Sequence, residues 1–270
     1  MRPPASAPLP LAGRRVLLTR RWPALAAGLG ALGASVMEVP TITILPADDP
    51  APLDRALGGL AGYQWLVFTS ANAVEAVARR LETLGLALPA PLRLASVGPA
   101  TTLAIAAAWP AARVEVQPDA EFRAAELVAA FAGVDLEGCR VLLPVSDRAG
   151  DGVPRGLAAR GAVVDRVVGY RTRAASTDGL ADAIRAGIDA VVFASPSAVE
   201  GYLGASGDRG SSVPTVVMGP TTADAVRVAG LSVLAQAQPS TLEGLVAALL
   251  RALGPPEASA PPPAGLTPRA

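Results

Sequence analysis

One stretch of this chain occurs twice. Leu66 to Glu75 reads LVFTSANAVE and Val191 to Glu200 reads VVFASPSAVE. In each copy apolar and β-branched residues run into a serine, small residues make a turn, and apolar positions resume at helical spacing. That is the pattern of a buried strand, a tight turn and a helix start. Three further pairs recur in the same order: RVLL at Arg15 and Arg140, GPAT at Gly98 against GPTT at Gly219, and LVAA at Leu127 and Leu245. Four matches in one order describe a duplicated α/β unit of about 120 residues. Strand and helix alternate within it, which predicts parallel sheets with helices on both faces.

Around the repeats the chain punctuates itself with glycine and proline. Ser35 to Leu45 alternates and is interrupted by Pro40, so it predicts two short strands meeting at a bend. Val163 to Arg173 alternates over a longer run that includes Gly169 and Tyr170. Arg113 to Gln117 predicts an edge strand. Gly28, Gly30 and Gly33 have the spacing of a dinucleotide fingerprint, but the strand before them ends near Thr19, so they fall inside and at the end of a helix. Gly33 reads as that helix's cap. Residues 1–12 and 255–270 are Pro- and Ala-rich and predict disordered tails.

Composition removes most catalytic classes. The chain has no His, one Cys and no Lys, every cation being Arg. A zinc site, a Ser/His or Cys/His pair, an iron–sulfur cluster, a Schiff-base lysine and a phosphate-loop lysine all need residues it does not have. Lys+Arg 23 balances Asp+Glu 23, so no basic face advertises nucleic acid. The mean hydropathy of +0.41 raises the question of a membrane span. Leu94 to Ala112 carries no charge before Arg113 but is broken by Gly98-Pro99 and Trp109-Pro110, which predicts strand, turn and short helix instead. One thiol and no long apolar N-terminal run predict a cytoplasmic protein without a secretory leader, with Cys139 a buried small hydrophobe.

In parallel sheets ligands sit beyond the carboxyl ends of the strands. That rule collects Thr19-Arg20, Ser70-Ala71-Asn72, Gly98 to Thr101, Ser146 to Gly152 with Arg148, Ser195-Pro196-Ser197, and Gly219-Pro220-Thr221-Thr222. The set is rich in backbone amides, hydroxyls and Arg, and poor in general bases. Such a lining suits an organic polyacid. Ser70, Ser195 and Thr101 also read as plain helix caps, and Arg20 and Arg148 as solvated charges. Tyr170 stands apart, because with His and Lys absent a phenol is among the few proton donors besides carboxyls. A buried structural tyrosine is the competing reading.

Seven motifs, in order and spacing, resemble the uroporphyrinogen-III synthase family: VLLTR at Val16, FTSANAV at Phe68, VGPAT at Val97, VVGYRT at Val167, FASPSAV at Phe193, MGPTTADAV at Met218 and PSTLEGLVAAL at Pro239. The resemblance implies two doubly wound parallel-sheet domains joined by a two-stranded hinge. Residues 13–41 and 173–254 would form the first and residues 42–172 the second, with Pro40 and Gly169 marking the bends. It implies closure of hydroxymethylbilane, a linear tetrapyrrole with eight carboxylates, to uroporphyrinogen III. No cofactor and no metal are implied, nor is a nucleic-acid or membrane partner; hydroxymethylbilane synthase would hand over the substrate. By resemblance Tyr170 assists departure of the terminal hydroxyl, while Thr222, Thr221, Ser195 and Ser70 bind acid groups. Arg20, Ala71, Asn72, Thr101, Arg148, Ser197 and Gly219 complete the expected substrate site. A non-catalytic tetrapyrrole or polyacid binder of the same fold, and a hinged two-domain binding protein, stay open on the residues alone.

Overall fold

A computed structural model describes residues 8–119 and 122–255. The expected disorder of residues 1–7 and 256–270 concerns segments outside the described residues. The chain runs β1 (Arg15–Leu18), α1 (Pro23–Ala31), β2 (Ser35–Glu38), β3 (Ile42–Pro46), α2 (Ala51–Gly58), β4 (Trp65–Phe68), α3 (Ala71–Leu84), β5 (Arg93–Ser96), α4 (Pro99–Ala108), β6 (Val114–Val116) and α5 (Ala124–Ala130). It continues β7 (Arg140–Ser146), α6 (Gly152–Ala158), β8 (Val163–Ala174), α7 (Leu180–Ala186), β9 (Ala190–Phe193), α8 (Pro196–Ser206), β10 (Thr215–Val217), α9 (Pro220–Val228), β11 (Val233–Gln236) and α10 (Leu242–Leu253).

These strands form two sheets, ordered β11-β10-β9-β1-β2 and β6-β5-β4-β7-β8-β3. All neighbours are parallel except β3, which runs antiparallel to β8 at the edge of the second sheet. The two orders match strand for strand. RVLL supplies β1 in one sheet and β7 in the other, and the duplicated FTS and FAS motifs follow β4 and β9. Each sequence repeat is therefore divided: its first two strands enter one sheet and its last three the other.

Both faces of the inner strands are covered, so their sequences are continuously apolar rather than alternating. In β1, Val16 and Leu18 pack toward α1 and α10, and Leu17 packs toward the helices on the opposite face. In β4, Leu66 and Phe68 face α3 while Trp65 and Val67 face Leu127 and Phe131. Trp65 meets Phe131 edge-on at 4.9 Å between ring centres. Each such fully buried side chain contributes about 1.5–3 kcal/mol by removal from water. Cys139 is only partly buried, against the second of these layers.

The chain changes sheets twice. The first link is Val39–Thr41, around Pro40; the second follows Ala174 and not Gly169. Arg173 and Ala174 still pair with Thr43 and Ile42, so β8 extends past the expected boundary. Gly169 instead sits at a register shift, with Val168 opposite Val145 but Tyr170 opposite Ser146. This is a bulge, which rotates the following residues relative to the sheet. The links lie side by side, with the Ala175 N–H donating to the Thr41 carbonyl at 3.1 Å. Thr41 Oγ1 in turn donates to the Ala198 carbonyl of α8 at 2.9 Å. Helix α8 approaches so closely that a Cβ on Gly201 would lie 2.3 Å from the Thr41 carbonyl oxygen. At the N-terminus the order starts earlier than expected: Leu11 is fully buried beside Leu253, and its N–H donates to the Leu32 carbonyl at 2.8 Å. Gly28 and Gly30 lie within α1 and Gly33 follows it with φ +95°, the capping geometry that suits glycine.

Candidate active site

The carboxyl ends of both sheets open onto one cavity of about 820 Å³ between them. A strand that stops at a small polar residue and a helix that starts there place the turn's hydroxyl against the first helical amides. Ser70 caps α3, its Oγ accepting from the Ala73 N–H at 3.1 Å. Ser195 does the same for α8, accepting from Ala198 at 3.3 Å. The two copies of the opening motif thus face one cleft from opposite sheets. Gly98 and Gly219 stand at the N-caps of α4 and α9, each followed by a proline in the first turn. Thr101 and Thr222 sit one turn in, both buried. Four helix N-termini at one cavity surround it with partial positive charge.

The sequence-predicted residues Arg20, Ser70, Ala71, Asn72, Thr101, Tyr170, Ser195, Ser197, Gly219, Thr221 and Thr222 all line this cavity. Arg148 does not. It turns outward from the loop after β7 and pairs with Glu200 of α8 at 2.6 Å, with both side chains about half exposed. Its neighbour Ala149 packs on the core and lines the cavity, while the Glu200 carboxylate on the facing helix holds the Arg148 guanidinium away from the lining. Arg20, by contrast, is held at the mouth by stacking over Trp22, 5.1 Å from the ring centre.

Two cations were not anticipated. Arg21 lines the cavity beside Arg20, and Arg123 enters it from the start of α5 while pairing with Asp224 of α9 at 3.0 Å. Its signal in sequence was faint: a lone Arg between Arg113 and Arg140, past an edge strand. Ser146, Thr172 and Ser240 add hydroxyls. Among the described residues of the lining there are three arginines and no carboxylate.

Tyr170 is buried at the cavity floor, its phenol 2.9 Å from Ser70 Oγ. Burial raises its pKa above the ordinary 10.0; hydrogen bonds to Ser70 and Asn72 oppose the rise, and the charge of Asp147 adds to it. At neutral pH the group is therefore a protonated phenol, a donor in a site with no other acid among its described lining residues. Among the described residues no cluster of metal-ligating side chains occurs, and no helix is long and apolar enough to cross a membrane.

Two doubly wound parallel sheets facing across a cleft lined by arginines, hydroxyls and helix N-termini define a two-lobed α/β protein. A family model described as uroporphyrinogen-III synthase HemD matches residues 23–247. The chain belongs to the uroporphyrinogen-III synthase family. A uroporphyrinogen-III synthase of Synechococcus elongatus is 33% identical over 256 residues, covering 89% of this chain and 96% of that one. Two solved structures share the fold. One is a mutant uroporphyrinogen III synthase from the extremely thermophilic bacterium Thermus thermophilus, TM-score 0.64 at 20% identity, over 89% of this chain and 99% of that one. The other is uroporphyrinogen-III synthetase from Helicobacter pylori, TM-score 0.54 at 16% identity, over 87% and 97%.

Proposed function

We propose that this cleft closes hydroxymethylbilane to uroporphyrinogen III with inversion of ring D, Tyr170 supplying the proton on which the reaction starts. The observation that carries the reading is the pairing of a buried phenol with a lining that, among the described residues, consists of arginines, hydroxyls and helix N-termini without a carboxylate. Eight substrate carboxylates need neutralising, and a carboxylate in the wall would repel them. Arg20, Arg21 and Arg123 supply point charges, and the turns at Ser70, Thr101, Ser195 and Thr222 supply hydroxyls and helix dipoles.

The chemistry then needs little from the protein. Loss of the terminal hydroxyl requires a proton on that oxygen, and the Tyr170 phenol is the donor. Water leaves, an azafulvene forms, and the substituted carbon of ring D attacks it to give a spiro intermediate. Opening and reclosure invert ring D, and the proton lost when the last pyrrole regains its aromaticity restores the phenol. Holding a flexible chain of pyrroles in a near-attack shape can supply roughly 7–11 kcal/mol in well-oriented systems. The same reading places the protein in the cytoplasm, taking its labile substrate from hydroxymethylbilane synthase.

Steady-state kinetics of Tyr170→Phe test the assignment. The expected result is a kcat lowered about 10²-fold, the low end for a general acid, with KM little changed and the melting temperature retained. Parallel loss of activity and stability would reassign Tyr170 to structure.

A further inference from the structure

We infer that Asp147, outside the cavity, is the positioning residue for Tyr170. The strand β7 ends at Ser146, directly after the Gly169 bulge has shifted the register, so the segment of β8 that carries Tyr170 loses its neighbour on that edge. Asp147 takes over the edge. Its backbone N–H donates to the Tyr170 carbonyl at 3.1 Å, and its Oδ1 accepts from the Thr172 N–H at 3.1 Å. One residue thus serves the two backbone groups that flank Arg171 on that edge, the Tyr170 carbonyl and the Thr172 N–H, its side chain standing in for the next residue of a strand. On the other edge β3 completes the ladder, with Pro46 opposite Tyr170 and Ile44 opposite Thr172. Tyr170 and Thr172, both facing the cavity, are therefore clamped between β3 and a single aspartate.

The charge of that aspartate is also set. Burial alone would raise its carboxyl, but the hydrogen bonds from Arg173 and from the Thr172 amide outweigh this and hold its pKa below the ordinary carboxylate value. The charges around the phenol come from every side. Asp147 with Arg173, and Arg148 with Glu200, lie toward the β7 loop; Asp48 with Arg171 lies toward β3; Asp54 with Arg80 ties α2 to α3; and α3 turns neutral Ser70 and Asn72 inward. Of these charges it is Asp147 that acts on Tyr170, favouring the protonated phenol.

This inference rests on the reading of Tyr170 as proton donor, and its test is chosen to be independent of turnover. The full-length protein is labelled with tyrosine carrying carbon-13 at Cζ, and its three tyrosine signals are assigned with Tyr170→Phe and titrated by NMR. Asp147→Asn keeps an acceptor for the Thr172 amide but removes the charge, so the Tyr170 midpoint moves down. Arg173→Gln leaves the Asp147 charge uncompensated, so the midpoint moves up. Opposite signs are what a merely structural role cannot give; no shift, or shifts of one sign, would overturn the inference. Asp147→Ala removes the clamp as well and lowers kcat by up to about 10²-fold at little-changed KM. If Tyr170→Phe turned over normally while the two midpoints still moved apart, the donor reading would fall and the placement by Asp147 would stand.

Discussion

Tyr170 shows how one side chain takes its chemistry from its surroundings. Its phenol is buried, and its pKa lies above 10.0. The active form is the protonated one, so activity is held up to alkaline pH and falls only as pH rises through the raised value. The pH profile of kcat is expected to show that limb above pH 10, and the limb is absent in Tyr170→Phe; a limb well below 10 would contradict the donor role. Ser70 is coupled to it twice, as hydrogen-bond partner of the phenol and as N-cap of α3. Ser70→Ala is expected to cost about 1 kcal/mol of stability, as caps do, seen in chemical denaturation. It also moves the Tyr170 midpoint upward, because the lost hydrogen bond was lowering it. A capping loss with no movement of the phenol would separate the two roles.

At the scale of elements, the strand-turn-helix starts were legible because each is a local event. A Ser or Gly at the strand end, Pro or a small residue in the first turn and apolar spacing beyond it fix the turn without help from the rest of the chain. For the same reason Ser70, Ser195, Gly98 and Gly219 could be placed at a common sheet end from sequence. What was not legible depends on partners distant in sequence. Arg148 looked like Arg20, and only the facing Glu200 of α8 turns it outward. Arg123 reaches the cavity because α5 packs beside α6, which no local pattern announces. Gly169 read as a bend between domains and is a bulge within β8. Gly201 gave no signal at all, yet α8 passes the sheet-to-sheet link with room only for a hydrogen. Gly201→Ala is expected to destabilise the protein by about 1–3 kcal/mol through overpacking against the Thr41 carbonyl, measured by urea denaturation. An unchanged midpoint would mean that helix and link move apart freely.

Over the whole molecule, the duplicated sequence unit is not the packed unit. A duplicated unit of about 120 residues would by itself fold as two successive halves, whereas each repeat is shared between two sheets and the chain crosses between them at Val39–Thr41 and after Ala174. The division places one copy of the serine turn on each side of a single cleft, which two independent halves would not do. Away from the links, Arg148–Glu200 and Arg123–Asp224 join the lobes across the cleft. Exposed pairs of this kind contribute roughly 0–1 kcal/mol each and weaken with salt. Small-angle scattering is therefore expected to show a radius of gyration that grows between low and high ionic strength, and a salt-insensitive, larger radius in the Glu200→Gln, Asp224→Asn double variant. Equal radii in all four conditions would show that the ion pairs do not govern closure. The central claim is that this cleft folds a linear tetrapyrrole into the inverted ring. It is tested most directly by giving the purified protein freshly prepared hydroxymethylbilane, oxidising the products and separating the uroporphyrin isomers by chromatography. The account predicts the type III isomer in large excess over the type I ring that forms spontaneously; type I alone, from protein shown to be folded, would contradict it.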